Sequence, residues 1–279
     1  MRNSIVKPKR FRGLTVSIPF SLKSLPIGLG LALILALSGC AKKSNEFQEL
    51  SVEQLYNDAM DSLQARKFAD SKKQFDEVSR QHPYSIWSPR AELMGAYSLF
   101  ISRQYPGAVN ALQSFIEAHP GNPAVPYAYY LKGMCYYYQI EDVDRDQSMT
   151  ENAQESFSEL IRRFPQSVYA RDARLKLDLT HDHLGGKEMA IGRWYQNQEL
   201  YGAAILRFRA VATSRTNTSH VPEALQRLVE SYLALGLKEE AIANAAVLGH
   251  NYPDSIWYHD TYELVKNLPE VMVKNQNVN

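Results

Sequence analysis

The chain has 279 residues, with 31 lysines and arginines against 30 aspartates and glutamates. Six of the basic residues precede position 40, so the rest of the chain has 25 basic and 30 acidic residues and a formal charge of −5. This balance argues against a nucleic-acid binder, because contacts to phosphates need a concentrated basic surface.

The N-terminal segment has the composition of a lipoprotein signal peptide. An apolar run without charge, Ile27 to Leu37, follows a stretch that is basic and contains no acidic residue. The run is too short for a permanent membrane helix, which needs about 20 apolar residues. It ends in Leu37-Ser38-Gly39-Cys40, which resembles a bacterial lipobox. The resemblance implies removal of residues 1–39 and acylation of the Cys40 thiol. The alternative is an ordinary signal peptide or an uncleaved anchor.

Residues 40–50 are expected to form a lipidated tether. Lipoproteins that stay in the inner membrane commonly carry Asp after the lipidated cysteine, so Ala41 favours the outer membrane by analogy. Several acyl chains on one cysteine anchor a protein stably, whereas a single chain binds only marginally. Cys135 is then the one remaining thiol, so no internal disulfide can form. It lies in an apolar, aromatic helix and is expected to be buried.

Five segments after the tether share a spacing of small residues. In four of them, two small or apolar residues lie 12 positions apart and a loop residue follows 24 after the first. The other has about eight extra residues between its helices. In chain order the segments are Ala59–Ser71–Pro83, Ala96–Ala108–Pro120, Gly133–Ala153–Pro165, Gly192–Ala204–Thr216 and Val229–Ala241–Pro253.

This spacing is typical of tetratricopeptide repeats, in which paired helices cross at small residues and proline follows the second helix. An aromatic residue often starts the second helix, as at Phe68, Tyr105 and Tyr201. The sequence therefore predicts an all-α fold over residues 51–270. Five helix–turn–helix repeats are expected to stack into a right-handed α-superhelix, an α-solenoid with a concave groove.

Two segments depart from this repeat pattern. An amphipathic stretch, Tyr169 to Leu184, lies between the third and fourth repeats. Gly185-Gly186 after it either break the helix or only kink it, and the sequence leaves both possibilities open. The polar residues 271–279 are expected to form a flexible C-terminal tail.

The first helices of the first three repeats carry stripes of aromatic and Met residues at i, i+4, i+7 spacing. These helices are expected to line the groove. Aromatic side chains supply large contact area and Met adapts its shape, so the stripes predict a site for a peptide with aromatic side chains. The alternative is that the rings fill the core between repeats. The candidate groove residues are Tyr56, Met60, Leu93, Tyr97, Phe100, Tyr130, Met134 and Tyr137.

The corresponding face of the last two repeats is polar and charged. Such a face suits a folded partner, bound through a wetter interface in which charges set register and association rate. The candidate partner-face residues are Arg193, Gln196, Asn197, Gln226 and Glu230.

Motifs for catalysis or metal binding are missing from the sequence. The acidic run from Glu141 to Asp146 resembles a calcium loop, but Gln147 stands where such a loop needs Gly. His181 and His183 diverge by about 200° on a helix and cannot share a metal. We therefore expect no enzymatic activity, no metal and no cofactor besides the lipid on Cys40.

Motifs along nearly the whole chain resemble the BamD (ComL) family of outer-membrane β-barrel assembly lipoproteins. They are Leu55-Tyr56-Asn57-x-Ala59, Asp144-Arg145-Asp146-Gln147, Phe164-Pro165-x-Ser167-x-Tyr169-Ala170-x-Asp172-Ala173, Ala190-Ile191-Gly192-Arg193-x-Tyr195, Thr218-Ser219-His220-Val221-x-Glu223-Ala224-Leu225 and Leu233-Ala234-Leu235-Gly236.

The resemblance implies a lipid-anchored scaffold at the periplasmic face of the outer membrane. Its implied partners are the periplasmic domains of BamA, other Bam lipoproteins and unfolded β-barrel proteins. Strands of such barrels alternate apolar residues and carry aromatic girdles, which suits the aromatic stripes. The resemblance also places the BamA contact on the polar face. The alternatives are a pilotin for pilus or secretin assembly and an adaptor for peptidoglycan enzymes.

Overall fold

A computed structural model describes residues 50–214, 217–266 and 268 of the chain. Within these residues every regular element is an α-helix, so the predicted all-α repeat fold is confirmed. The signal segment 1–39, Cys40 with the tether up to residue 49, Thr216 and the tail 271–279 lie outside the described residues. In chain order the helices are α1 (Val52–Gln64), α2 (Phe68–Gln81), α3 (Ser88–Ile101), α4 (Tyr105–Ala118), α5 (Val125–Tyr137), α6 (Ser148–Arg163), α7 (Val168–Asn197), α8 (Tyr201–Ser214), α9 (Val221–Ala234), α10 (Lys238–Asn251) and α11 (Ile256–Val265).

Each helix from α2 to α10 packs against the helix before it and the helix after it. The pairs α1–α2, α3–α4, α5–α6, α7–α8 and α9–α10 correspond to the five predicted repeats. The last helix, α11, packs on both α9 and α10. Phe68, Tyr105 and Tyr201 each begin the second helix of a pair, as the sequence predicts.

The small residues at the predicted helix crossings are all buried, which confirms the repeat register. A Cβ atom on Gly133 would lie 2.5 Å from Cε1 of Phe157, and one on Gly192 would lie 2.5 Å from Cε1 of Phe208. Real Cβ atoms do not approach another carbon so closely, so these two crossings need glycine. The crossing residues are Ala59, Ser71, Ala96, Ala108, Gly133, Ala153, Gly192, Ala204, Val229 and Ala241.

Helix α7 runs through Gly185-Gly186 as one helix of 30 residues, so the glycines do not end it. Both glycines are buried because other segments pack on them. A Cβ on Gly186 would lie 3.2 Å from Nε2 of His220 and 3.3 Å from Cγ1 of Val143. The pair therefore makes room for the loop before α9 and for the insertion between α5 and α6.

A polar contact joins the middle of α7 to the loop before α9. The amide and the hydroxyl of Ser219 donate to Oδ1 of Asp182 at 2.8 and 2.7 Å, and Nε2 of His220 lies 3.7 Å from Oδ2 of Asp182. Partial burial acts to raise the pKa of Asp182, but the two hydrogen bonds from Ser219 outweigh it and the pKa is lowered. We call Asp182, Ser219 and His220 the seam.

The buried apolar residues form three clusters along the repeats. The first joins α1, α2 and the start of α3, the second runs from α3 to α7, and the third runs from α7 to α10. Ala173 belongs to the second cluster and Met189 to the third, so the two halves of α7 serve different cores. No helix in the described part of the chain combines the length and apolar character that a membrane span needs.

Candidate functional site

The groove candidates of the first repeat are half-buried. The Tyr56 ring lies 5.5 Å from the Phe75 ring and 4.8 Å from the Trp87 ring, measured between centroids. Burial raises the pKa of Tyr56, although the charge of Arg90 acts in the opposite direction. Met60 packs against the same first cluster. Both side chains thus contribute to the core and keep part of their surface in solvent.

Leu93 and Met134 are core residues, so the prediction that they line the groove is wrong. Their exposed fractions are 8% and 7%, and both belong to the second buried cluster. Helices α3 and α5 are each covered by the second helix of their own repeat and also by the first helix of the next repeat. A stripe at i, i+4, i+7 therefore includes positions that face the next repeat instead of the groove.

The ends of α3 and α5 form an aromatic cluster with the start of α4. The Phe100 ring lies 6.3 Å from Tyr97, 6.1 Å from Tyr105 and 5.8 Å from Tyr138. Tyr138 stacks on Tyr105 at 6.3 Å and remains 58% exposed. We call Tyr97, Phe100, Tyr105 and Tyr138 the aromatic cluster. It presents ring surface to solvent on an ordered helical base.

Tyr138 contributes to the lining of two open cavities. The first has a volume of about 460 Å³, and the second has a volume of about 530 Å³. Volumes of this size accommodate a side chain or a short peptide segment. Phe100, Ile101, Arg103, Tyr105 and Tyr138 line the first cavity. Tyr138, Gln139, Ile140, Glu141, Asp146, Ser148 and Met149 line the second.

Tyr130 and Tyr137 on α5 are covered by the first half of α7. The Tyr130 hydroxyl donates to Oδ2 of Asp172 at 2.6 Å, and its ring stacks on Tyr169 at 5.6 Å. Burial and this hydrogen bond raise the pKa of Tyr130. Nζ of Lys176 lies 5.2 Å from the centroid of the Tyr137 ring and 3.3 Å from Oδ2 of Asp172. A charged pair therefore borders the aromatic surface.

Tyr169, Asp172 and Lys176 border the site but are not among the residues predicted from the sequence. Their i, i+3, i+7 spacing places them on one face of α7. That spacing is the signal by which the sequence could indicate them, whereas amphipathic character alone predicts only an extra helix. Tyr105 was interpreted as a helix-starting aromatic, and its ring also belongs to the surface cluster.

The partner-face candidates form a polar network between α7 and α9. Nη1 of Arg193 donates to both carboxylate oxygens of Glu223 at 3.0 Å. Nε2 of Gln196 donates to Oε2 of Glu230 at 2.9 Å, and Nη1 of Arg227 donates to the same oxygen at 3.0 Å. We call these five residues the polar network. Its charges are neutralised within the chain.

The other two partner-face candidates differ in exposure. Gln226 is 5% exposed, and its Oε1 is buried without a hydrogen-bond partner. The prediction of a solvent-facing Gln226 is therefore wrong, because this position lies on the face of α9 that packs into the interior. Asn197, the last residue of α7, is exposed.

The acidic segment between α5 and α6, which includes Glu141 to Asp146, is held together by hydrogen bonds from the side chain of Gln147. Nε2 of Gln147 donates to the carbonyl oxygens of Asp142 and Arg145, each at 3.1 Å.

Within residues 50–214 and 217–266 no group of three His, Cys, Asp or Glu side chains is placed to hold a metal ion. Cys135 is buried as predicted, and burial raises its thiol pKa to about 12.

The similarity of this chain to known proteins agrees with the family that its motifs resemble. Residues 48–248 match the model of the family YfiO, described as an outer membrane lipoprotein. The chain is 47% identical to the outer membrane protein assembly factor BamD of Caulobacter vibrioides, over 83% of this chain and 77% of that protein. Identity to BamD of Rickettsia prowazekii is 46%, over 85% and 95% of the two chains. Identity to BamD of Neisseria meningitidis serogroup A is 32%, over 81% and 91%. The chain therefore belongs to the BamD family of outer-membrane lipoproteins, as its motifs predict.

Proposed function

We propose that this chain is a lipid-anchored scaffold that helps to assemble β-barrel proteins into the outer membrane. Family membership supports the proposal, since the relatives described above are outer membrane protein assembly factors. The lipobox-like Leu37-Ser38-Gly39-Cys40 supports an anchor on Cys40 at the periplasmic face. The proposed role is non-catalytic, and it needs no metal and no cofactor besides the covalent lipid.

The aromatic cluster is proposed to bind segments of unfolded barrel proteins. The observation that carries this proposal is the 58% exposed Tyr138 ring, which helps to line two open cavities. Barrel strands alternate apolar and polar residues and carry aromatic side chains at both membrane interfaces. Such side chains fit the cavity that Phe100, Tyr105 and Tyr138 line, because stacked aromatic pairs gain energy beyond the burial of their area.

A peptide from the last strand of a barrel tests this assignment. Tyr97→Ala and Tyr138→Ala are expected to weaken its binding about thirtyfold, since removal of an aromatic anchor commonly costs about 2 kcal/mol. Tyr130 also packs on α7, so Tyr130→Ala needs an unchanged melting curve before its affinity is interpreted. Tyr262→Ala is the matched control, because this ring on α11 is 51% exposed and lies outside the cluster.

Peptide affinity that stayed within twofold in folded Tyr97→Ala and Tyr138→Ala proteins would remove the aromatic cluster from substrate recognition. A thirtyfold loss that also occurred in Tyr262→Ala would indicate nonspecific attraction to exposed rings. Either outcome would leave the scaffold role to stand alone.

The polar network and the neighbouring Asn197 are proposed to contact the periplasmic domains of BamA. The internal bonds of Arg193, Gln196 and Glu230 hold their side chains in one arrangement, which reduces the ordering cost on binding. We expect Arg193→Ala and Asn197→Asp to reduce co-purification of BamA and to leave peptide affinity unchanged. Full recovery of BamA with both variants would contradict this contact.

The lipid anchor has a separate test. Cys40→Ala is expected to abolish metabolic labelling with palmitate and to leave an uncleaved precursor, because acylation precedes this type of cleavage. Equal labelling of the wild type and Cys40→Ala would overturn the anchor. Other Bam lipoproteins are proposed as further partners, and co-purification with the tagged wild type would identify them.

A further inference from the structure

The loop between α2 and α3 displays two bulky apolar side chains to solvent. Tyr84 is 102% exposed and Ile86 is 79% exposed. Hydrogen bonds order the loop around them. The Ser85 amide donates to the His82 carbonyl at 3.0 Å, and the Ser85 hydroxyl accepts from the Trp87 amide at 3.2 Å. The outward direction of both side chains is therefore a fixed property of the turn.

The corresponding loops of the other repeats lack this pair, within the ranges that the structure describes. Polar or small residues replace the tyrosine: Gly121, Gln166, Asn217 and Asp254. The isoleucine position holds Pro123, Val168, Ser219 and Ile256. Val168 is 81% exposed and Ile256 is 68% exposed, so one exposed β-branched residue belongs to the repeat pattern. The neighbouring tyrosine sets the first loop apart.

The chain enters the repeats beside this loop. Nε2 of His82 lies 3.0 Å from the carbonyl oxygen of Leu50, just before α1 begins. Nine residues lie between Cys40 and Leu50, and the ten steps from Cys40 to Leu50 span at most about 35 Å. A bilayer that holds a lipid on Cys40 must therefore lie within that distance of Leu50. The other repeat-ending loops follow later in the array.

The chemistry of the loop suits a bilayer surface. Tyrosine is enriched at membrane interfaces, where its amphipathic ring lies at the level of the headgroups. Isoleucine gains free energy when its apolar surface leaves water. The tether supplies Lys42 and Lys43, and basic residues near an anionic bilayer are attracted to it.

We propose that the Tyr84–Ile86 loop inserts into the headgroup region of the bilayer that holds the lipid on Cys40. The contact gives the repeat array a second attachment point and so fixes the direction in which it extends from the membrane. This proposal rests on the lipid anchoring proposed above.

The depth of labelled loops in a bilayer tests the proposal. The full lipidated protein is reconstituted into vesicles of phosphatidylethanolamine and phosphatidylglycerol that contain nitroxide-labelled lipid. Ile86→Cys and Ile256→Cys each add one reactive thiol, because Cys40 is acylated and Cys135 is buried. A fluorophore at position 86 is expected to be quenched several-fold more than one at position 256. The second site is the matched control, since it is an exposed isoleucine in the equivalent loop.

Adding Tyr84→Asp to the Ile86→Cys protein is expected to reduce quenching at position 86 to the level at position 256. Gln166→Asp, added to the same Ile86→Cys protein, is the control for the introduced charge and should leave quenching at position 86 unchanged. Equal quenching at positions 86 and 256 in protein that floats with the vesicles would overturn the loop contact and leave the anchor intact. Protein that does not float would overturn the anchor and the loop contact together.

Discussion

The inner helices of the first three repeats and of the last two share one packing register but differ in their outward side chains. In the first part the aromatic cluster leaves Tyr138 largely in solvent, where it helps to line two cavities. In the second part the polar network joins α7 to α9 and pairs Arg193 with Glu223 inside the chain. The repeat register therefore fixes which positions are buried at the crossings. It leaves the chemistry of the outward positions free to differ between the two parts.

Overpacking of the crossings should affect both parts alike and gives the largest expected effect. Ala108→Leu in the first part and Ala204→Leu in the second should each lower the free energy of unfolding by about 1–3 kcal/mol, because both positions are 0% exposed. Denaturant titration of the domain measures the change. Ala246→Leu on the exposed side of α10 is the control and should stay within roughly 0.5 kcal/mol. Unchanged midpoints at positions 108 and 204 would mean that the register is wrong.

The second prediction concerns the polar network, which belongs to the second part of the molecule. Glu223→Gln removes the charge that Arg193 and Arg227 share, and the Glu223 side chain is only 14% exposed. We expect a loss of about 1–2 kcal/mol in the free energy of unfolding, since removal of one partner leaves a partly buried charge without compensation. Glu199→Gln at an exposed turn is the control. Equal stability of both variants would show that the network contributes little to the packing of α7 on α9.

The third prediction concerns the seam and its dependence on pH. The lowered pKa of Asp182 means that its carboxylate stabilises the folded state above the unfolded pKa of about 3.9. This contribution is lost as the pH falls through the lowered folded value. The stability difference between wild type and Asp182→Asn should therefore shrink below about pH 4. The effect is modest because the side chain is 39% exposed and solvent screens it. A constant difference from pH 7 to pH 2 would contradict it.

The smallest effect on stability is expected in the aromatic cluster. Tyr138→Ala should change the free energy of unfolding by only about 0.5 kcal/mol, because most of the ring is already in solvent. Thermal melting followed by circular dichroism measures this change. A loss comparable to that of Ala108→Leu would show that the ring serves packing, and it would weaken the assignment of a binding surface.

Much of the fold could be predicted because small residues recur at fixed spacing. Gly133 and Gly192 lie where Phe157 and Phe208 press on the crossing helix, so the spacing reflects a steric requirement. The same logic could not separate Leu93 and Met134 from their outward neighbours. An inner helix of a repeat is covered on two sides, and the sequence does not show how wide its exposed stripe is.

The candidate site was only partly predictable. Tyr97 and Phe100 were identified from their spacing, but the contribution of α7 depended on its path in space. Asp172 and Lys176 reach α5 because the first half of α7 packs against the end of the third repeat. The partners of Arg193 and Gln196 lie 30 or more positions away in the sequence, so they could not be inferred from a local pattern.

The uninterrupted course of α7 has a mechanical consequence. At 1.5 Å per residue its 30 residues form a rod of about 45 Å. One end of this rod carries Asp172 and Lys176 beside the aromatic surface, and the other end carries Arg193 and Gln196 in the polar network. His220 packs on both glycines in the middle of the rod, and this packing opposes bending of the helix there. We therefore expect a tilt imposed at one end of α7 to move the other end, so that the helix couples the two parts.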